Sequence, residues 1–173
     1  MYHKTKLENG IIVVTESMTQ VRSISMGFLV DTGPYNETPE QIGLAHLVEH
    51  AMFNGTSSRD ATQISRMMDE AGGYMGAFTA RDYTCYQATV LDDYRTYALD
   101  LMGDILLNSI FPEDKLEMEK NSILREIDMS RDIPNDAAHA LLKETIWPGH
   151  PLGRPISGTH ETVNSFNPLT VIP

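Results

Sequence analysis

The chain has 173 residues, enough for one domain with a real core, and carries 24 acidic against 13 basic side chains, a formal charge of −11. That balance, with no basic run, excludes a phosphate-binding nucleic-acid surface and favours cationic ligands such as Arg- or Lys-containing peptides. The single cysteine, Cys85, excludes an internal disulfide, no apolar run approaches the ~20 residues of a membrane span, and the N-terminus lacks a signal or presequence pattern, so a cytoplasmic protein away from membranes is expected.

In chain order, Asn9-Gly10 signals a turn and the apolar run Ile11 to Val14 after it reads as a strand. Val21 to Val30 reads as a second strand, with Ile24, Met26 and Phe28 alternating against Ser23, Ser25 and Gly27. Asp31-Thr32-Gly33-Pro34 breaks it. A helix is expected from about Pro39 to Phe53, capped by Thr38 and stopped at Asn54-Gly55-Thr56. Ala61 to Ala71 follows as a helix with Ile64, Met67, Met68 and Ala71 on one side. Tyr74 to Ala80 and Tyr83 to Leu91 look like an antiparallel pair joined at Arg81-Asp82, and Cys85 within the second is a small packed hydrophobe.

From Leu91 onward the pattern is helical. Asp93 to Leu107 carries Leu99, Met102 and Leu106 at core spacing; Pro112 opens a helix to about Arg131, and Pro134 another to about Ile146. A loop of breakers, Trp147 to Pro155, comes next. Strands first and helices later predict an α+β fold, a mainly antiparallel sheet covered by helices on one face, in a single domain.

The chemistry concentrates in His46-Leu47-Val48-Glu49-His50. Two imidazoles at i and i+4, with a carboxylate at i+3, share one side of a helical turn, the arrangement of two zinc ligands and a general base. The surrounding helix is apolar nearly all round (Leu44, Ala45, Leu47, Val48, Ala51, Met52, Phe53), so it is expected to be buried. A carboxylate and two imidazoles converging there need a partner, and a divalent cation is the simplest one. A catalytic zinc takes three protein ligands. On the Pro112–Arg131 helix, Leu116, Glu119, Ile123, Glu126, Ile127 and Ser130 fall in a single stripe, which puts two carboxylates on the face that should be buried. Either Glu119 or Glu126 would complete the set, leaving the other to hold a ligating histidine; helical angles alone do not choose between them.

His46-Leu47-Val48-Glu49-His50 is the inverted zinc motif. Together with the distance along the chain from His50 to Glu126, and with Asp31-Thr32-Gly33, His50-Ala51-Met52-Phe53-Asn54-Gly55-Thr56, Gly72-Gly73, Ala77-Phe78-Thr79 and Trp147 to Ile156, it resembles the pitrilysin/insulinase family of zinc metallopeptidases over roughly Tyr2 to Phe166. The likeness is on the side of the mitochondrial processing peptidase β subunit and its small bacterial relatives.

The resemblance implies one zinc ion held by His46, His50 and Glu126, with Glu49 as the base that takes the proton of the attacking water and passes it to the leaving amine. It implies Glu119 as a supporting carboxylate of the site. It also implies a peptide substrate lying along the Tyr74–Ala80 edge strand, with Gly76, Ala77 and Thr79 as substrate-binding positions; the family usually carries Asn where this chain has Gly76. Family members pair such domains into a clamshell. Residues 1–166 are therefore expected to form the N-terminal domain of a zinc endopeptidase, residues 167–173 a divergent or truncated tail, and a second homologous domain or subunit to be the partner. The alternative is a non-catalytic or incomplete subunit that binds zinc and a partner half without cleaving alone. His3, His139, His150 and His160 are read as surface or capping residues, the last two in loops.

Overall fold

The computed structural model describes residues 2–171; Met1, and Ile172 and Pro173 of the expected tail, lie outside the described residues. Two strands, β1 (Tyr2–Lys6) and β2 (Ile12–Glu16), form an exposed antiparallel hairpin about the Asn9-Gly10 turn. β1 escaped the sequence reading because Tyr2-His3-Lys4-Thr5-Lys6 lacks an apolar alternation. The main sheet has β3 (Ser23–Val30), β5 (Thr84–Leu91) and β4 (Tyr74–Thr79) in that spatial order, antiparallel throughout, so β4 is an edge strand.

The register sets Phe28, Tyr86 and Ala77 side by side on the face that the helices cover. The opposite face is more polar, with a Ser25–Thr89 hydroxyl contact at 3.0 Å. Period-2 alternation in β3 therefore does what it predicts, one side packed and one side open.

Among the described residues seven α-helices follow one another: α1 (Leu44–Ala51), α2 (Ala61–Glu70), α3 (Arg95–Asn108), α4 (Glu113–Asp132), α5 (Pro134–Ile146), α6 (His160–Ser165) and α7 (Pro168–Val171). Two buried clusters organise them. One joins the covered face of the sheet to α2 and α3 through Ile64, Met68, Tyr86, Val90, Leu101 and Ile105. The other joins α1, α4 and α6 through Leu47, Ala51, Leu116, Ile123, Val163 and Phe166. Residues just beyond α1, Met52 and Phe53, reach the first cluster, and Leu47 fills the second. That two-sided packing explains why the motif segment is apolar nearly all round. Burying Leu47 alone contributes about 2 kcal/mol.

Four details depart from the sequence reading. The motif helix does not run unbroken from Pro39; a 3-10 turn at Pro39–Gln41 is separated from α1 by Ile42 and Gly43. Gly43 sits at φ +94° against Gly158, where a Cβ would lie 2.6 Å from the Gly158 Cα, so only glycine permits both the left-handed turn and the close approach. On α3 the buried positions are Ala98, Leu101, Met102 and Ile105, and Leu99 is 51% exposed. Met102 and Leu106 pack on the core as expected, and the helix adds Ala98, Leu101 and Ile105 to that face while Leu99 turns outward.

Lys120 on α4 was absent from the expected buried stripe yet is 5% exposed. Its ammonium donates to Glu117 and to the carbonyls of Asn164 and Phe166 at the end of α6. His160, read as a loop residue, opens α6 and pairs with Asp128 at 2.8 Å. Six residues are too few for a periodic signal, and the Thr159/Thr162 capping box that opens the helix is seen only in the structure.

The loop after α1 is pinned by Asp104 of α3, which accepts from Thr56 (2.7 Å), Ser58 (3.0 Å), Arg59 and Asn108 (2.8 Å). Burial opposes its ionisation, but those four donors win and hold the carboxyl well below the usual range. Asp104→Ala is expected to cost about 2–4 kcal/mol at pH 7, measured by urea unfolding. Because the folded value is depressed, this contribution is complete above the unfolded carboxyl value of ~4 and is lost as pH falls through the folded value. The stability gap between wild type and variant should therefore shrink in acid.

Candidate metal centre

α1 begins where the Glu37 carboxylate accepts the backbone N–H of Gly43 (2.9 Å) and Ala45 (2.8 Å). Burial raises the Glu37 carboxyl above its usual value, against the pull of those amides. The helix then presents His46, Glu49 and His50 from consecutive turns, and α4 crosses it with Glu119 and Glu126. Glu126 Oε2 lies 3.9 Å from His46 Nε2 and 3.8 Å from His50 Nε2. One ligand atom from each of the three lies within 4.8 Å of the other two. Donors around a tetrahedral zinc stand ~3.4 Å apart, so the two Glu126 contacts are a few tenths of an ångström wider than coordination spacing.

The protonation states suit a cation. Burial, reinforced by the neighbouring His50, lowers the His46 imidazole to about 4, so the ring is neutral at pH 7. His50 Nδ1 lies 3.2 Å from Glu119 Oε2; donation of Nδ1–H to that carboxylate leaves the Nε2 lone pair directed at the Glu126 side. Glu119 is itself held by Asn54, whose amide donates to Oε1 at 3.1 Å. Glu119 therefore stands against His50, not His46, and Asn54 is a supporting residue that the sequence reading missed, since an Asn at a helix end reads as a stop signal. His46 Nδ1 is buried with no hydrogen-bond partner among the described residues. His46 Nε2 has only the 3.9 Å Glu126 contact among the described residues, so packing holds the ring with that nitrogen presented towards Glu126, as a ring held for an external ligand would be. Two imidazoles and one carboxylate match the donor chemistry of zinc.

Glu49 lies on the sheet side of the helix, where the Thr79 hydroxyl donates to Oε2 at 2.7 Å. Thr79 is expected from sequence to bind substrate; in the structure its side chain is engaged with Glu49, which ties the carboxylate to edge strand β4. The buried Tyr86 phenol is pushed well above its usual range by burial and by the charge of Glu49. Ala77 lies on the same helix-facing side of β4 as Thr79, and Gly76 points to the opposite face. A Cβ at Gly76 would meet the Tyr74 hydroxyl at 2.6 Å, but that hydroxyl ends a largely exposed side chain free to move aside. His3, His139 and His150 stand apart from this cluster; His150 Nδ1 accepts from the Leu152 amide in a turn. Glu126 is 46% exposed while both imidazoles are mostly buried, so the centre opens to solvent on the Glu126 side.

An α+β domain with an inverted His-x-x-Glu-His turn facing a distal glutamate is the frame of a zinc metallopeptidase. The sequence profile of the insulinase family (peptidase family M16) matches residues 12–160, and the chain belongs to that family. Relatives include proteins named uncharacterized zinc protease from Bacillus subtilis, 43% identical over 96% of this chain and 41% of the relative, and from Streptomyces coelicolor, 42% identical over 94% of this chain and 36% of the relative. The chain thus spans about two fifths of their length. Two crystal structures share the fold. A protease from Helicobacter pylori superposes with TM-score 0.93 at 21% identity, over 99% of this chain and 42% of that one. A peptidase M16 inactive domain from Pseudomonas fluorescens superposes with TM-score 0.92 at 18% identity, over 99% and 42%. Among the described residues no helix is long and apolar enough to cross a membrane.

Proposed function

We propose that this chain is a zinc-dependent endopeptidase domain acting on extended peptides. The convergence of His46, His50 and Glu126 beside Glu49 carries the reading. His46, His50 and Glu126 hold the ion; bound there, zinc supplies Lewis-acid polarisation of the scissile carbonyl and makes a water acidic enough to be deprotonated near neutral pH. Glu49 accepts the water proton and delivers it to the leaving amine, with Thr79 fixing one carboxylate oxygen so that the other faces the reacting atoms. Glu119, through His50 Nδ1, orients one ligating ring.

The substrate adds as a strand to the free edge of β4, bonding through its backbone, with Gly76, Ala77 and Thr79 along that edge. A second domain or subunit of the same family closes over the peptide, in line with the share of the relatives that this chain spans. The test is metal content and peptide cleavage together. One zinc per chain is expected, with cleavage stopped by a chelator and restored by zinc; a fully zinc-loaded chain that leaves extended peptides intact would overturn a catalytic role for the chain on its own.

A further inference from the structure

Further along α4 from the proposed zinc centre lies a half-open cavity of about 800 Å³, bordered by α4, α5 and the segment from Trp147 to Thr159. Its lining holds Ile127 and Ser130, which extend the face of α4 that carries Glu126 by one turn, ~6 Å. In a chain of charge −11, this cavity is lined by Arg81, Arg131, Lys143 and Arg154, against only Asp136 and Glu144, with His139 and His150 besides.

Elsewhere Arg22, Arg59, Arg66 and Lys120 form ion pairs, while Lys4, Lys6, Arg95, Lys115 and Arg125 have none among the described residues. Among the described residues none of the four cavity cations makes a salt bridge, although Asp136 and Glu144 share the lining and the charge of Arg154 is felt by Glu37 and Glu40. Arg81 and Arg154 each use Nη1 on backbone carbonyls, Arg81 on Leu152 and Arg154, and Arg154 on Pro34 and Glu37. Arg131 and Lys143 lie in the last turns of α4 and α5, where their charge complements the helix C-termini, and have no side-chain hydrogen-bond partner among the described residues.

We propose that this cavity is a subsite for a carboxylate of the peptide ligand, an acidic side chain or a free C-terminus. The proposal rests on the peptidase reading for its orientation: at ~3.3 Å per extended residue, a carboxylate in the cavity belongs to a residue about two positions from the scissile bond. The overall negative field would draw cationic peptides, but at physiological ionic strength it is screened beyond ~8 Å, whereas the cavity cations act at contact. Guanidinium–carboxylate pairing in a partly enclosed site also supplies directed, charge-assisted hydrogen bonds. Global and local charge therefore select differently, the surface for solubility and the cavity for an acidic residue.

Trp147, the single tryptophan of the chain, lines the cavity and serves as its reporter. Zinc-free protein would be titrated with acetyl-Ala-Ala-Glu-Ala-Ala-amide, its Gln counterpart, and an alanine pentapeptide with a free carboxyl end, read by Trp147 fluorescence and calorimetry. The Glu peptide is expected to bind about tenfold more tightly than the Gln peptide. That ratio should collapse in the Arg131→Gln/Lys143→Gln double variant and survive in Arg131→Lys, with unfolding midpoints confirming that each variant is folded. Tight binding of the free-carboxyl peptide alone, with the same dependence on the two cations, assigns the carboxylate to a chain terminus. Equal binding of Glu and Gln peptides, or a ratio unchanged in the double variant, overturns the subsite. Zinc-loaded protein separates the two readings: a Glu preference without cleavage removes the peptidase and leaves the subsite, and cleavage without preference does the reverse.

Discussion

Glu49→Gln is expected to keep one zinc per chain and to lose at least ~10²-fold in peptide cleavage. The carboxamide matches the carboxylate in shape, so the Thr79 hydroxyl still has an oxygen to donate to and α1 keeps its packing. His46, His50 and Glu126 are untouched, and metal content measured by mass spectrometry should not change. What disappears is basicity: an amide cannot take a proton from water or return it to the leaving amine. A variant that cleaves as fast as wild type would remove Glu49 from the chemistry, whereas one that loses zinc as well would make it a structural member of the ligand set.

His46→Leu should separate stability from metal binding. Removing one of three donors should abolish stoichiometric zinc binding and with it the zinc-dependent rise in stability, which for a site at a thousandfold excess over its Kd amounts to about 4 kcal/mol. In zinc-free protein the same substitution should leave stability unchanged or raise it by about 1–3 kcal/mol, because it exchanges a buried imidazole with an unpartnered Nδ1 for an apolar side chain. Urea unfolding of both proteins with and without zinc checks both signs. A variant that unfolds more readily without metal would mean that the imidazole is held for packing and not for a ligand.

Glu119 and Glu126 show where reading from the sequence stopped. Both lie on one stripe of α4 two turns apart, and a helical wheel assigns them the same face. The crossing of α4 over α1 separates them: Glu126 comes near both Nε2 atoms, and Glu119 meets the far nitrogen of the His50 ring. Thr79 is a second instance. Its place in an edge strand was readable, but its hydrogen bond to a carboxylate thirty residues earlier was not, since it depends on how α1 lies across the sheet. The cavity cations are a third, because they come from four separated segments that no spacing rule connects.

The sequence by itself determined the local elements, the α+β class, and the placing of two imidazoles and a carboxylate on one helical turn. These follow from periods of 2 and 3.6 residues, from capping and breaking residues, and from the cost of polar groups in an apolar helix, all of which act over a few neighbouring positions. The tertiary structure alone decided which ring nitrogen each glutamate meets, that Leu99 of α3 faces out, where α1 breaks, and how cations from separate segments gather in one cavity. Those outcomes depend on crossing angles and close approaches between segments far apart in the chain, and short-range periodicity carries no information about them.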